Sequence, residues 1–327
     1  MTACRIGFVG AGGVAARHAR MLGELGDVRL VAVTDPVPDR CQQFASAFGM
    51  RAAPGLAQLL SADLDAVYVC VPPVAHGPIE EAVVGAGLAM FVEKPLGLDE
   101  PTADRVSAAV TRAGVTTAVG HHWRYAATVR SAQRLLEGRA VRLVLGSWLD
   151  KVPPVPWWTH REQSGGQVVE QAVHVLDLAR LLVGEVEEVC AMAGGQAPGP
   201  GADVDAATGA VLRFAGGTVG TLAATCVLRG KHRAGLELYA DGFELSLAEN
   251  GMLAREGDAD PRWWSVNPDV AKRAADEAFV AAVLGRAAAV RVPYAEALRT
   301  HRLACAISTS AATRRPVLLG TEPHARI

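Results

Sequence analysis

Two stretches of the chain carry side chains that together could oxidise an alcohol. The first is Val92-Glu93-Lys94-Pro95-Leu96-Gly97. It follows Ala89-Met90-Phe91-Val92, an apolar run that reads as a buried strand, so a carboxylate and an amine stand at a strand's end. Pro95 biases Lys94 toward extended backbone and restricts the direction in which its amine leaves the chain. An ammonium held there can hydrogen-bond a hydroxyl and stabilise the alkoxide that forms when the hydroxyl loses its proton. A plain surface Glu-Lys pair before a turn would look the same in isolation. The second stretch, Gln167–Leu182, reads as a helix with Ser164 capping its start and Gly184 ending it. Glu170, His174 and Asp177 fall at i, i+4 and i+7 on one face, while Val168, Ala172, Leu176, Ala179 and Val183 form an apolar face. His174 can take a hydroxyl proton while Glu170 orients the ring and stabilises its cation. The bland alternative is a solvated polar stripe. No third ligand of matching spacing joins Glu170 and His174, so no metal is expected.

A hydride acceptor is suggested at the other end of the sequence. Arg5–Val9 is a short apolar strand that runs into Gly10-Ala11-Gly12-Gly13-Val14-Ala15 and then a helical pattern to about Leu25. The spacing is GxGxxA: Gly10 for a tight turn, Gly12 for close approach of backbone to a pyrophosphate, Ala15 for close helix–strand packing. The helix start would face the phosphates with free N–H groups and a positive dipole end. A ligand-free glycine turn is the alternative. The next strand, Val28–Thr34, ends at Asp35, 20 residues beyond Ala15, where a carboxylate can hold ribose hydroxyls and repel a 2′-phosphate. NAD is therefore preferred and NADP possible, with Arg40, one helical turn on, as the residue that could admit the phosphate. Asp35 could instead only cap the helix that begins near Pro38.

The elements that must position these groups alternate strand and helix. Helices are expected near Asp39–Phe48 and Leu56–Leu60, and a strand at Ala66–Val71 whose unbroken apolarity suits a parallel strand buried on both faces. Helices at Ile79–Ala86 and Pro101–Ala113 and a strand at Thr116–Val119 complete the pattern. The fold class is an N-terminal Rossmann domain, a doubly wound parallel sheet, with its ligand loops at the carboxyl ends of the strands. His76, His121 and His122 lie in those loops and read as structural or cofactor-adjacent rather than catalytic.

The second half begins with His122-Trp123-Arg124-Tyr125, a helix at Ala127–Glu137 and a strand at Val141–Trp148. The loop Lys151–Gln163 holds Pro153, Pro154, Pro156, Trp157, Trp158, His160 and Arg161, which suits a polyol ring with a flat apolar wall and charged rim; tryptophans packed into the domain are the alternative. Strands then follow at Val186–Ala191, Ala206–Phe214, Val219–Leu228, Leu236–Ala240 and Phe243–Leu247, with turns at Gly216-Gly217 and Asp241-Gly242. These strands and helices are consistent with an α+β domain on an antiparallel meander. Trp263 and Trp264 would line the distal end of a cleft or a subunit boundary. Helices at Asp269–Leu284 and Tyr294–Thr313 close the chain. The expected division is 1–122 for the dinucleotide and 123–327 for substrate and oligomerisation, with the final helices free to pack back on the first domain.

The 327 residues allow about two domains. A net charge of −2 without a basic run argues against nucleic acid, whose phosphates need concentrated positive charge. No apolar run reaches the roughly 20 residues of a membrane span. There is no signal-peptide pattern, and the six cysteines show no CxxC spacing, so a cytoplasmic protein with reduced thiols is expected.

Gly10-Ala11-Gly12-Gly13-Val14-Ala15, Val71-Pro72-Pro73-Val74-Ala75-His76 and Glu93-Lys94-Pro95, in this order and at about these distances, resemble the Gfo/Idh/MocA family of glucose–fructose oxidoreductase and inositol dehydrogenase. Ser164-Gly165-Gly166 through His174-Val175-Leu176-Asp177 resembles the family's later pattern of glycines, Asp, three residues, catalytic His and His-x-x-Asp, so the likeness spans nearly the whole chain. The resemblance implies that the α+β C-terminal domain is built on an open, mostly antiparallel sheet, that Lys94 lies beside the nicotinamide and the reacting carbon, that Pro72, His76 and Glu93 line the cofactor cleft, and that His174 is the acid/base. One departure stands out: the family's Asp four residues before the His is Glu170 here, one methylene longer. The Trp123-Arg124-Tyr125 segment resembles the crossing between domains and, with Trp158 and Asp177, is a candidate substrate contact. The implied activity is NAD(P)-dependent hydride transfer to or from a hydroxyl or keto carbon of a sugar, sugar derivative or cyclitol. Alternatives are an NADP-dependent keto-sugar or imine reductase, a branch that uses NAD transiently for elimination or bond cleavage, and a non-catalytic dinucleotide-binding redox sensor. A sheet face left uncovered by the chain's own helices suggests a homodimer or homotetramer.

Overall fold

The apolar runs of the first half fold as strands and the 3.6-periodic segments between them as helices. The computed structural model describes residues 3–286 and 290–320. Its elements run β1 (Cys4–Val9), α1 (Gly13–Gly23), β2 (Val28–Thr34), α2 (Pro38–Phe48), β3 (Arg51–Ala52), α3 (Leu56–Leu60), β4 (Ala66–Val69), α4 (Pro78–Gly85), β5 (Ala89–Val92), α5 (Glu100–Ala113) and β6 (Thr117–Val119). They continue with α6 (Ala127–Leu136), β7 (Val141–Leu149), α7 (Arg161–Ser164), a π-helical turn at Val168–Ala172, α8 (Val173–Val183), β8 (Val186–Gly194), β9 (Ala207–Phe214), β10 (Val219–Thr225), β11 (Arg233–Ala240), β12 (Phe243–Ala248), β13 (Gly251–Glu256) and β14 (Arg262–Ser265). Last come α9 (Pro268–Val283), α10 (Tyr294–Thr313) and β15 (Val317–Leu318). The chain divides into two compact units, Met1–Tyr125 with Asp269–Leu298, and Ala126–Pro268 with Arg299–Ile327.

In the first unit six strands form a sheet in the order β3-β2-β1-β4-β5-β6, every pair parallel. The winding reverses between β1 and β4, which opens a crevice at the carboxyl ends of those two strands. β4 is buried along its whole length, as its unbroken apolarity requires. Phe8, Tyr68 and Phe91 are in register on β1, β4 and β5, and their rings stack: Tyr68 lies 4.7 Å from Phe91 at 8° and 5.2 Å from Phe8 at 25°. Phe279 of α9 meets Tyr68 and Phe91 edge-on at 5.6 Å. Each such buried ring stabilises the unit by about 1.5–3 kcal/mol through burial alone. The stack therefore fixes the strand ends that carry the chemistry, and it draws α9, from late in the chain, into the same core.

The second unit is built on nine strands in the order β14-β13-β12-β11-β7-β10-β9-β8-β15, antiparallel except for the parallel β7–β10 pair. β9 alternates strictly, with Thr208, Ala210, Leu212 and Phe214 inward and Ala207, Gly209, Val211 and Arg213 outward. α8 lies over the inner face, against β7 and β11. The outer face exposes Met192, Val211, Val219 and Leu143 on the adjoining strands β8, β9, β10 and β7. Trp263 and Trp264 sit in the edge strand β14, a hairpin partner of β13; the sequence reading anticipated neither strand.

The helix expected over Gln167–Leu182 forms and ends at Gly184, but its first turn is π-helical. Ser164 ends the short α7 instead of capping a longer helix, and its hydroxyl accepts the Gly166 N–H at 3.0 Å. The π turn then inserts its wider winding before α8 begins at Val173. A π turn takes more than 3.6 residues, so Glu170 and His174 do not follow the single regular stripe that i, i+4 spacing implies.

Candidate active site

The first unit gathers its chemistry-bearing residues at the carboxyl edge of its sheet. Gly10 has φ 93°, a left-handed conformation, and a Cβ on it would lie 2.2 Å from the Cys70 carbonyl oxygen at the end of β4. Only glycine meets both demands. The Gly10 N–H donates to the Thr34 carbonyl at 2.8 Å, and the Ala11 N–H to Asp35 Oδ2 at 2.8 Å, so the turn is tied to the end of β2. Gly12 is the N-cap of α1, with no side-chain cap, no acidic residue in the first turn, and open space where a Cβ on Gly12 or Gly13 would project. The first N–H groups of α1 are thus left to an outside acceptor, which fits a pyrophosphate. Val14 is exposed beside them and Ala15 fully buried.

Asp35 is engaged on both oxygens. Besides Ala11, the Val37 N–H donates to Oδ1 at 2.8 Å and the Arg40 guanidinium at 2.6 Å. Burial raises the carboxyl's pKa, but Arg40 and the two N–H groups outweigh it and hold the group below its ordinary value. Asp35 therefore both pins the turn and presents a fixed negative charge. Pro72 and His76 lie in the loop after β4. His76 is buried, its Nδ1 2.5 Å from Glu80 Oε1, while Glu80 Oε2 accepts the Gly77 N–H at 2.6 Å.

At the end of β5, Lys94 is half-buried and Glu93 is buried. The Lys94–Pro95 peptide is cis. The Glu93 carboxylate turns inward: His18 Nε2 is 2.8 Å from Oε1, Arg17 donates to the same oxygen at 3.5 Å, and the Lys94 N–H donates to Oε2 at 3.2 Å. A Cβ on Gly120, just past β6, would come within 2.8 Å of this carboxylate, so glycine there makes its room. Burial alone would raise the Glu93 pKa, but the neighbouring cations, His18 first, depress it to about 2. His18 and its second partner, Asp276 of α9 at 2.7 Å, were not anticipated from the sequence. The available signal was a histidine among Ala15, Ala19 and Leu22 on the buried face of α1.

Trp123, Arg124 and Tyr125 are all buried. Arg124 donates to Glu296 at 2.9 Å, and the Tyr125 hydroxyl accepts the Arg291 N–H at 3.2 Å beneath that residue's guanidinium.

In the second unit His174, on the first turn of α8, is 6% exposed, and its ring stacks on Trp148 of β7 at 5.8 Å and 23°. Glu170, on the π turn, accepts the Trp158 indole N–H at 2.7 Å. Trp158 is wholly buried in a small cluster with Val204 and Cys226, so its visible role is to hold that carboxylate. Asp177 is buried and accepts the Thr300 hydroxyl at 2.9 Å, with Arg180 donating to Thr300 at 2.6 Å. The three polar residues expected on one stripe thus have partners on separate elements: Trp148 for His174, Trp158 for Glu170, α10 for Asp177. Among the described residues no helix is long and apolar enough to cross a membrane.

Comparison with known proteins adds to this geometry. Residues 4–121 match the family model of an oxidoreductase family with an NAD-binding Rossmann fold, and residues 123–243 match the GFO/IDH/MocA C-terminal domain. The chain is 32% identical over 185 residues to inositol 2-dehydrogenase of Rhizobium meliloti (strain 1021), covering 55% of each chain. It is 30% identical over 228 residues to myo-inositol 2-dehydrogenase of Thermotoga maritima, covering 67% of each. The chain thus spans about half to two thirds of the length of these relatives. Its fold matches a levoglucosan dehydrogenase solved with NADH and levoglucosan, with TM-score 0.88 and 20% identity over 98% of this chain and 100% of that one. With both family models matched in order, and with the glycine turn at the switch point of a 3-2-1-4-5-6 sheet, the chain belongs to the Gfo/Idh/MocA oxidoreductase family.

Proposed function

We propose that the chain is an NAD-preferring dehydrogenase that moves hydride between the nicotinamide and a CH–OH carbon of a sugar, sugar derivative or cyclitol. The observation that carries this reading is the carboxyl edge of the first sheet. There an uncapped helix start, the ionised Asp35 and Lys94 stand at the ends of β1, β2 and β5. The N–H groups after Gly12 would hold the pyrophosphate, and Asp35 the ribose hydroxyls. When bound, NAD supplies the hydride acceptor. Lys94 hydrogen-bonds the substrate hydroxyl oxygen and stabilises its alkoxide. His174 takes the hydroxyl proton, and Glu170, anchored by Trp158, positions it. The dehydrogenase relatives support a polyol-like substrate. Pro72, His76, Trp123, Arg124, Tyr125 and Asp177 shape the cofactor and substrate surroundings. Residues 1–122 belong to the dinucleotide domain and 123–327 to the substrate domain, save that Asp269–Leu298 packs with the first unit; the location is cytoplasmic, and the apolar outer face of the second sheet supports a homodimer or homotetramer, which light scattering can count.

One observation favours NADP as a second reading: Arg40 is half-exposed beside Asp35 and could turn to a 2′-phosphate. The test of the main reading is a screen of polyols and sugars with NAD, read by the absorbance of reduced cofactor. With the best substrate, Lys94→Ala and His174→Ala should each lower turnover at least ~100-fold, the usual size of a lost oxyanion donor or proton acceptor. Near-wild-type turnover in either variant removes that residue from the mechanism.

A further inference from the structure

The reading of Lys94 leaves one buried charged group without a task. His18 is 3% exposed in its side chain, and both of its ring nitrogens face carboxylate oxygens, Asp276 Oδ1 at 2.7 Å and Glu93 Oε1 at 2.8 Å. A neutral imidazole has one N–H and one lone pair, so one of these contacts would set a lone pair against an anion. Only the imidazolium donates to both. Its titratable and charged neighbours come from four elements. Arg17 comes from α1, Tyr68 and Cys70 from β4, Glu93 and Lys94 from the end of β5, and Asp276 from α9. Tyr68 donates to the same Asp276 oxygen at 3.2 Å, and the His18 ring is wedged against Tyr68 and Phe91 at 5.3 and 5.0 Å.

We propose that His18 is a positioning residue for Lys94: a standing imidazolium clamped between Asp276 and Glu93, it keeps Glu93 ionised and fixed, and Glu93 in turn holds the Lys94 backbone. This goes beyond the proposed dehydrogenase chemistry but rests on it for the role of Lys94. The link is physical at each step. His18 lies closer to Glu93 than Arg17 does, and Glu93 accepts the Lys94 N–H and attracts the Lys94 charge. The pKa directions agree: burial would lower that of His18, yet Asp276 and then Glu93 raise it to about 9. Without the imidazolium, burial dominates at Glu93, the carboxyl takes up a proton more readily, and Lys94 loses its anionic neighbour. The backbone anchor of Lys94 then loosens.

The chain has four lysines, Lys94, Lys151, Lys231 and Lys272, so ¹³C reductive methylation gives each a signal by NMR, with Lys94→Arg assigning the one from Lys94. In wild type, ¹⁵N imidazole spectra should show His18 protonated on both nitrogens at pH 7.5; a neutral His18 overturns the proposal. In His18→Gln the Lys94 signal should change position while the other three stay put. Turnover should fall at least ~10-fold, with NADH affinity within about threefold, as expected when a reacting group is displaced but not removed. A folded His18→Gln protein with an unmoved Lys94 signal and wild-type turnover overturns the proposal. If that variant does not fold, Glu93→Gln cuts the same link from the other side, and an unmoved Lys94 signal there overturns it equally. A wild type that oxidises no polyol would defeat the dehydrogenase reading while the NMR signals still judge the His18 link.

Discussion

Replacing Asp35 by asparagine removes one charge and one of its two acceptor oxygens, and it should change which dinucleotide the chain prefers. The carboxylate accepts the Ala11 and Val37 N–H groups and the Arg40 guanidinium, and its side chain is only 2% exposed. Burial works against ionisation, but Arg40 and the N–H groups prevail, so the group is an anion at neutral pH. A 2′-phosphate carries about −1.5 to −2. At about 5 Å from Asp35, each unit of that charge costs about 0.8 kcal/mol at the dielectric of bulk water, and about fourfold more at an effective dielectric near 20. Arg40 offsets part of this, but it is already paired and half-exposed, so its help is screened. The net discrimination against NADPH is at least about 1.4 kcal/mol, or about tenfold. In Asp35→Asn the amide oxygen can still accept an N–H, while Arg40 is released. NADPH affinity should rise at least ~10-fold, and NADH affinity should fall by roughly 5–10-fold as a charged hydrogen bond to the ribose becomes a neutral one. Protein fluorescence titrations with both reduced cofactors measure this, and added salt should narrow the wild-type preference. A wild type that binds NADH and NADPH equally, or a variant that keeps the wild-type ratio, refutes the assignment of Asp35.

Two further outcomes follow from the buried partners. Trp158→Phe keeps an aromatic ring but removes the donor to Glu170, and should lower kcat/KM by roughly 10–150-fold, the worth of a hydrogen bond to a charged group; unchanged kinetics would show that the indole does not hold Glu170 in place. Stability should also depend on pH through His18 and Glu93. His18 is raised from 6.5 to about 9, so its contribution is whole below pH 6.5 and lost as pH rises through 9; Glu93 is lowered from 4.5 to about 2, so its contribution is whole above pH 4.5 and lost as pH falls through 2. Urea unfolding between pH 6 and 10 should therefore show a decline that His18→Gln flattens, and a wild type with level stability over that range contradicts the imidazolium.

The legible and illegible parts of this chain differ in the distance over which their causes act. The glycine turn, the strand ending at Asp35 and the Lys94 strand end could be read because each is a local pattern: a strand's apolar run, then the residue types a turn or phosphate requires. Alternation likewise marked β9 and its neighbours. The π turn that opens this helix was hidden because it leaves hydrophobic periodicity nearly intact, shifting only the phase; Gly165-Gly166 marked where the helix begins but not how it winds. Trp158 was hidden differently. Proline and tryptophan in a loop suit a pocket wall as well as a plug, and which way the ring faces is decided by Val204 and Cys226, far along the chain. His18 and Asp276, 258 residues apart, are the extreme case, since neither position carries a local signature of the other. Yet each was locally anomalous, a titratable side chain on an otherwise buried helix face. A charge on such a face demands a partner of opposite sign, because leaving it bare costs several kcal/mol. Two anomalies of opposite sign, in helices that must both cover one sheet, could have been matched on that ground alone.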